Sequence, residues 1–66
     1  MELKDFIKGK RRLANLTQHD LAEKAGVGLR FIREMEQGKE TLRMDKVNQV
    51  LKLFGFELGQ VELERE

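Results

Sequence analysis

Sixty-six residues with 13 Lys and Arg, 12 Asp and Glu, one His and no Cys, Pro, Ser, Trp or Tyr suffice for one small domain and exclude a second core. A covalent nucleophile would have to be Thr17, Thr41, a Lys or a carboxylate, and His19 alone cannot hold zinc. Hydrolytic, redox and metal-dependent chemistry are therefore set aside, no cofactor is expected, and the net charge of +1 conceals 12 basic and 8 acidic side chains in residues 1 to 56 against Arg65 and four glutamates in 57 to 66.

The first segment, from Glu2 to about Ala14, places Leu3, Phe6, Ile7 and Ala14 on one stripe at three- and four-residue spacing, the mark of an amphipathic helix. Arg11 interrupts that stripe, so its stem lies along the buried face and its head needs a carboxylate partner. Thr17 with Asp20 three residues on reads as an N-cap and an acidic third position, opening a short helix through Ala25. Gly26 closes that helix in a left-handed turn, and Val27 plugs the three-residue corner. A third helix starts at Gly28 or Leu29 and runs to Gln37, with Ile32 and Met35 inward and Gly38 as its stop. Thr41 caps a fourth helix on which Met44, Val47, Val50, Leu51 and Phe54 recur at helical spacing until Gly55. Met35 and Met44 are read as core fillers, His19 as an exposed helix residue, and Phe31 as packing either at the edge of the core or at a subunit interface.

After Gly55 the period changes. Phe56, Leu58, Val61 and Leu63 are apolar in alternation, with one change of phase near Gly59 and Gln60, which predicts a single strand over 56–64. The expected fold class is all-α with one C-terminal β-strand: a helical body of 1–55 and a strand of 56–64 within one domain of 1–66.

Two helices across a tight turn are common, so the details matter. Leu21, Ala25, Val27, Ile32 and Met35 are apolar where such helices share a core, Ala22 is small where the third helix crosses, and Gly26 sits at the bend. The run Leu16-Thr17-Gln18-His19-Asp20-Leu21-Ala22-Glu23-Lys24-Ala25-Gly26-Val27, followed by Ile32, Met35, Glu36 and Gly38, resembles the Cro/repressor-type (Xre) helix-turn-helix family. The likeness covers Arg11 through Gly38 and continues through the fourth helix to Phe54. Two positions depart from it: Asn15 stands where the family often has Gly, and Gly28 where a Ser or Thr often caps the recognition helix.

The resemblance implies that Glu36 is the partner of Arg11. Spacing agrees, since Glu36 follows Ile32 by four residues and adjoins Met35 on the inward edge of its helix. It further implies a third helix seated in the major groove of double-stranded DNA, with Leu29, Arg30, Arg33 and Glu34 as base-reading residues. Arg30 and Arg33 lead that group, because a guanidinium donates two hydrogen bonds to guanine O6 and N7. Gln18 resembles the family residue that binds phosphate at a helix N-terminus, and Gln37, Lys39, Thr41 and Arg43 are expected as further phosphate contacts.

A lone strand presents unpaired backbone groups, so Phe56, Leu58, Val61 and Leu63 are expected to pair with the same segment of a second copy, antiparallel about a two-fold axis. With the axis at Val61, Glu57 of one chain faces Arg65 of the other. Such a homodimer carries two recognition helices and calls for a near-palindromic operator. Gly-Val-Gly-Leu-Arg-Phe-Ile-Arg-Glu-Met-Glu-Gln-Gly-Lys leading into Leu-Phe-Gly-Phe-Glu-Leu looks like the HipB-like antitoxin branch of the family, which implies a repressor of its own operon that binds a HipA-like kinase toxin. A repressor with no toxin partner, or an interaction module that uses the helix-turn-helix only as scaffold, are the competing readings, and salt dependence of duplex binding separates the last from the others. No apolar stretch approaches a bilayer span, and the absence of cysteine fits a reducing compartment, so a soluble cytoplasmic protein without membrane contact is expected.

Overall fold

In the computed structural model, which describes residues 2–59, four helices follow one another: α1 (Leu3–Leu13), α2 (Gln18–Ala25), α3 (Leu29–Glu36) and α4 (Met44–Leu53). The start of α2 is fixed by a reciprocal box. Thr17 Oγ1 accepts from the Asp20 amide at 3.0 Å, and Asp20 Oδ2 accepts from the Thr17 amide at 3.0 Å. By contrast α3 begins at Gly28, which has no side chain with which to cap it.

All four helices end in the same way. Two backbone amides past each end turn back onto the last turn: Leu16 donates to Arg11 and Asn15 to Arg12, Val27 to Ala22 and Gly26 to Glu23, Lys39 to Glu34 and Gly38 to Met35, Phe56 to Leu51 and Gly55 to Lys52. Each closure needs one left-handed residue. Three are glycines, and the first is Asn15 at φ 60°. Asn tolerates this region because its short polar side chain can bond locally, so the departure from Gly at position 15 keeps the corner intact.

α3 packs on both α1 and α2, and α4 closes the far side of α2. Between them lies a core of Ile7, Leu21, Ala22, Ala25, Ile32, Met35, Val47, Val50 and Leu51, fringed by Leu3, Phe6, Leu16, Val27, Leu29, Phe31, Leu42 and Phe54. Burying each of the larger side chains is worth about 1.5–3 kcal/mol, the main force that holds four short helices together.

Three sequence expectations are corrected here. Ala14 is exposed, because α1 ends one residue before it and the chain turns away. Thr41 does not cap α4: the N-cap is Arg43, without a side-chain cap bond, because Leu42 is drawn in against the core and the helix starts only after it. Met44 is 66% exposed rather than buried, while Leu42, outside any helix, packs against the core.

Phe56 to Gly59 run without regular secondary structure. Phe56 folds back edge-on against Phe6, ring centroids 5.0 Å apart, with Lys10 Nζ within cation–π range of both rings. The Leu58 amide donates to Asn48 Oδ1 at 2.7 Å, tying this segment to α4. Val61, Leu63 and Arg65, and with them most of the expected strand and its cross-axis pairing, lie outside the described residues.

Candidate nucleic-acid interface

The site begins with a buried charge. Glu36 is the only charged or polar residue among the fully buried ones described, at 4% exposure, and an unpaired carboxylate there would be costly. Arg11 answers it with a two-pronged contact, Nε to Oε2 at 2.7 Å and Nη2 to Oε1 at 3.0 Å. Its third nitrogen, Nη1, donates to the Leu16 carbonyl at 2.9 Å, and Gln18 Nε2 donates to Glu36 Oε1 at 3.1 Å. Burial pushes the Glu36 carboxyl up, but the hydrogen bonds from Arg11 and Gln18 and the guanidinium charge outweigh it and hold it below the ordinary glutamate range. The Arg11 guanidinium is correspondingly pushed higher by its bond to Glu36. This cluster joins α1, the α1–α2 corner, the start of α2 and the end of α3, so it fixes how α2 and α3 cross.

The turn between those helices has a second restraint. Gln49 of α4 donates from Nε2 to the carbonyls of Ala25 at 3.0 Å and Gly26 at 3.1 Å. Sequence pattern gives no hint of it, because an exposed Gln on a helix carries no periodicity signal.

With α3 held in this way, its two faces separate cleanly. Ile32, Met35 and Glu36 point inward, whereas Arg30, Arg33 and Gln37 are exposed. Leu29 packs against the core edge rather than standing clear of it. Glu34 is half-buried and bonded to Lys39, Nζ to Oε2 at 2.8 Å. Past α3, Lys39, Thr41 and Arg43 are exposed, and Arg43 forks onto Asp45, Nη2 to Oδ2 at 2.7 Å and Nε to Oδ1 at 3.2 Å. Lys39, Thr41 and Arg43, with Arg30 and Lys46, line one shallow hollow together with Phe31, whose ring centroid lies 6.0 Å from Lys46 Nζ. Phe31 is thereby placed at the edge of the core.

Gln18 sits at the first position of α2, where the exposed end of the helix is a natural anion site, but its side-chain amide is already committed to Glu36. The structure thus brings Arg30, Lys39, Thr41 and Arg43 together around one hollow and sets Gln18 apart on the α2 side. Of the residues expected to pair two chains, Phe56 and Leu58 are 44% and 38% exposed. Among the described residues no helix is long and apolar enough to cross a membrane.

Residues 7–61 match the family model described as helix-turn-helix. An uncharacterized HTH-type transcriptional regulator of Sinorhizobium fredii is 53% identical over 45 residues, 68% of this chain and 59% of that protein. The chain therefore spans less than two thirds of that relative's length. An uncharacterized HTH-type transcriptional regulator of Methanocaldococcus jannaschii is 36% identical over 59 residues, covering 89% of each.

Proposed function

We propose that this chain, which belongs to the helix-turn-helix family and has relatives named as transcriptional regulators, is a DNA-binding transcriptional regulator that represses from a near-palindromic operator as a homodimer. One observation carries the reading: the packing of α3 buries Ile32, Met35 and Glu36 and leaves Arg30 and Arg33 outward on the helix that follows the tight turn. Each arginine reads a guanine through paired hydrogen bonds in the major groove. Through its backbone amide Gln18, with Gln37, Lys39, Thr41 and Arg43, contacts phosphates and sets register without carrying sequence information. Leu29, leaning on the core edge, presents its remaining surface to a thymine methyl.

In this reading residues 1–66 act as one cytoplasmic DNA-binding domain, and the segment 56–64 joins two copies so that their recognition helices lie about 34 Å apart, one helical turn of duplex. A small body that buries a marginal core gains from that partner. Selection of bound duplexes from a random pool tests the proposal. A recovered palindrome with half-sites one turn apart supports it, and an unselective pool turns the reading toward an interaction module. The antitoxin role is supported by the likeness of residues 26–39 and 53–58 to the HipB-like branch, and rests on that alone. Its test is whether a HipA-like kinase encoded beside this chain copurifies with it.

A further inference from the structure

Both cations of the segment leading from α3 to α4 are held by carboxylates of their own chain: Lys39 by Glu34 at 2.8 Å, and Arg43 by Asp45 at 2.7 and 3.2 Å. In the first pair the carboxylate is the more anchored partner, its side chain 28% exposed against 46% for the lysine. Glu34 lies in the hollow with Arg30 on its own helix, and the Lys39 hydrogen bond, with the Arg30 charge behind it, holds its carboxyl below the usual range, so it is ionised at neutral pH.

An exposed pair of this kind contributes little to folding, because solvent screens it and two long side chains lose freedom in making it. Its position gives it another consequence. Contacts from Lys and Arg to phosphate supply affinity for any duplex, while a regulator succeeds only if its preferred site outcompetes a large excess of other sequence. We propose that Glu34 competes with DNA phosphate for Lys39, weakening attachment to duplex of every sequence and leaving discrimination to Arg30 and Arg33. Asp45 acts likewise on Arg43. The inference rests on the DNA-binding reading above, and assigns Glu34 to specificity through its neighbour rather than to direct contact with a base.

The experiment is a two-by-two series of wild type, Glu34→Gln, Lys39→Ala and the double variant. Each is titrated with a mixed-sequence 30-base-pair duplex from about 0.05 to 0.3 M salt, a range over which phosphate contacts register clearly. Thermal melts first establish that each variant is folded. Freeing one lysine for one phosphate steepens the log–log salt slope by about 0.9 per bound chain, equivalent to roughly eightfold tighter binding at 0.1 M salt. In the Lys39→Ala background the same Glu34→Gln change is expected to alter affinity less than about twofold, since its target is gone. An unchanged slope overturns the inference. So does an equal gain with or without Lys39, which would make Glu34 a general repulsive charge, and so does a loss of affinity on Glu34→Gln, which would make Glu34 a duplex contact in its own right. A wild type that ignores duplex DNA altogether removes the underlying reading, an outcome that the first arm alone reveals.

Discussion

The side-chain amide of Gln49 donates to the carbonyl oxygen of Gly26 at 3.1 Å and, through the same nitrogen, to Ala25 at 3.0 Å, so the fourth helix clasps the turn between the second and third. The clasp satisfies two backbone carbonyls at the end of α2. Gln49→Ala is expected to cost about 1 kcal/mol in urea unfolding, the usual worth of such a bond. Gln49→Glu, which keeps the length but lacks a donor, should lose about as much. A glutamate variant as stable as wild type would show that the contact is incidental.

Removing Glu36 should be far more damaging. Glu36→Ala leaves the Arg11 head, with its side chain 13% exposed, unpaired beside the core, and the expected loss is about 3 kcal/mol. For 66 residues the entire stability is on the order of 3–10 kcal/mol, so the variant sits near the edge of folding. Replacing both charges, in an Arg11→Met Glu36→Leu variant, should be much less harmful than either single loss. Denaturant midpoints for the wild type, Arg11→Met, Glu36→Leu and the double variant decide this; additive losses would mean the two side chains do not act as a pair.

The acid limb of stability has a definite sign. Glu36 and Asp20 both have carboxyl groups held below their ordinary values, Glu36 by Arg11 and Gln18 against the effect of burial, and Asp20 by its bonds to Thr17. A lowered folded-state pKa means that the stabilisation is complete above the unfolded pKa, and fades as pH falls through the folded one. Unfolding midpoints should therefore hold steady near neutrality and decline from about pH 5 downward, the range in which such carboxylates begin to protonate in the unfolded chain. Glu36→Gln, though less stable overall, should show a shallower decline. An identical pH profile for the two proteins would assign the acid limb elsewhere.

At Gly38 the backbone stands at φ +85°, and an added Cβ would lie 2.9 Å from Lys4 Cδ. Two costs are mixed there, and they can be separated. Gly38→Ala is expected to lose about 1–2 kcal/mol from the left-handed conformation. Trimming Lys4 to Ala in that background should restore little, because a lysine stem moves aside easily. At Asn15 the corner already holds a side chain, and Asn15→Gly should be neutral or slightly stabilising, as thermal melts can show.

Base reading and phosphate binding predict different kinds of loss. Arg33→Ala should weaken the selected operator by about 1–3 kcal/mol while changing mixed-sequence binding little. In the Glu34→Gln background, where Lys39 is free, Lys39→Ala should weaken both alike and flatten the salt dependence. Competition titrations with the two duplexes distinguish them; equal losses from Arg33→Ala would remove that residue from base recognition.

Much of this architecture is legible in the sequence because short helices advertise their ends. Thr17 with Asp20 marks a start, and Gly26, Gly38 and Gly55 mark three stops, each with a backbone reason that needs no tertiary context. The inward stripe of Ile7, Leu21, Ile32, Met35, Val47, Val50 and Leu51 follows from spacing. What spacing cannot decide is where a stripe runs past the body it packs on. Ala14 and Met44 both continue a helical pattern by count, yet each lies at an end of its helix and is exposed, while Leu42, outside any helix, packs against the core. The paired cations were equally hidden. Lys39 and Arg43 look like free charges in the sequence, and only the fold brings Glu34 and Asp45 onto them.

The division of α3 into a half that folds and a half that faces out has a consequence for how such proteins diverge. Substitutions at exposed positions typically change stability by no more than about 0.5 kcal/mol, so Arg30 and Arg33 can be exchanged for other side chains while Ile32, Met35 and Glu36 keep the rod in place. The address can be rewritten without rebuilding the envelope, and grafting only outward residues from another regulator onto this helix should transfer a sequence preference onto an unaltered scaffold.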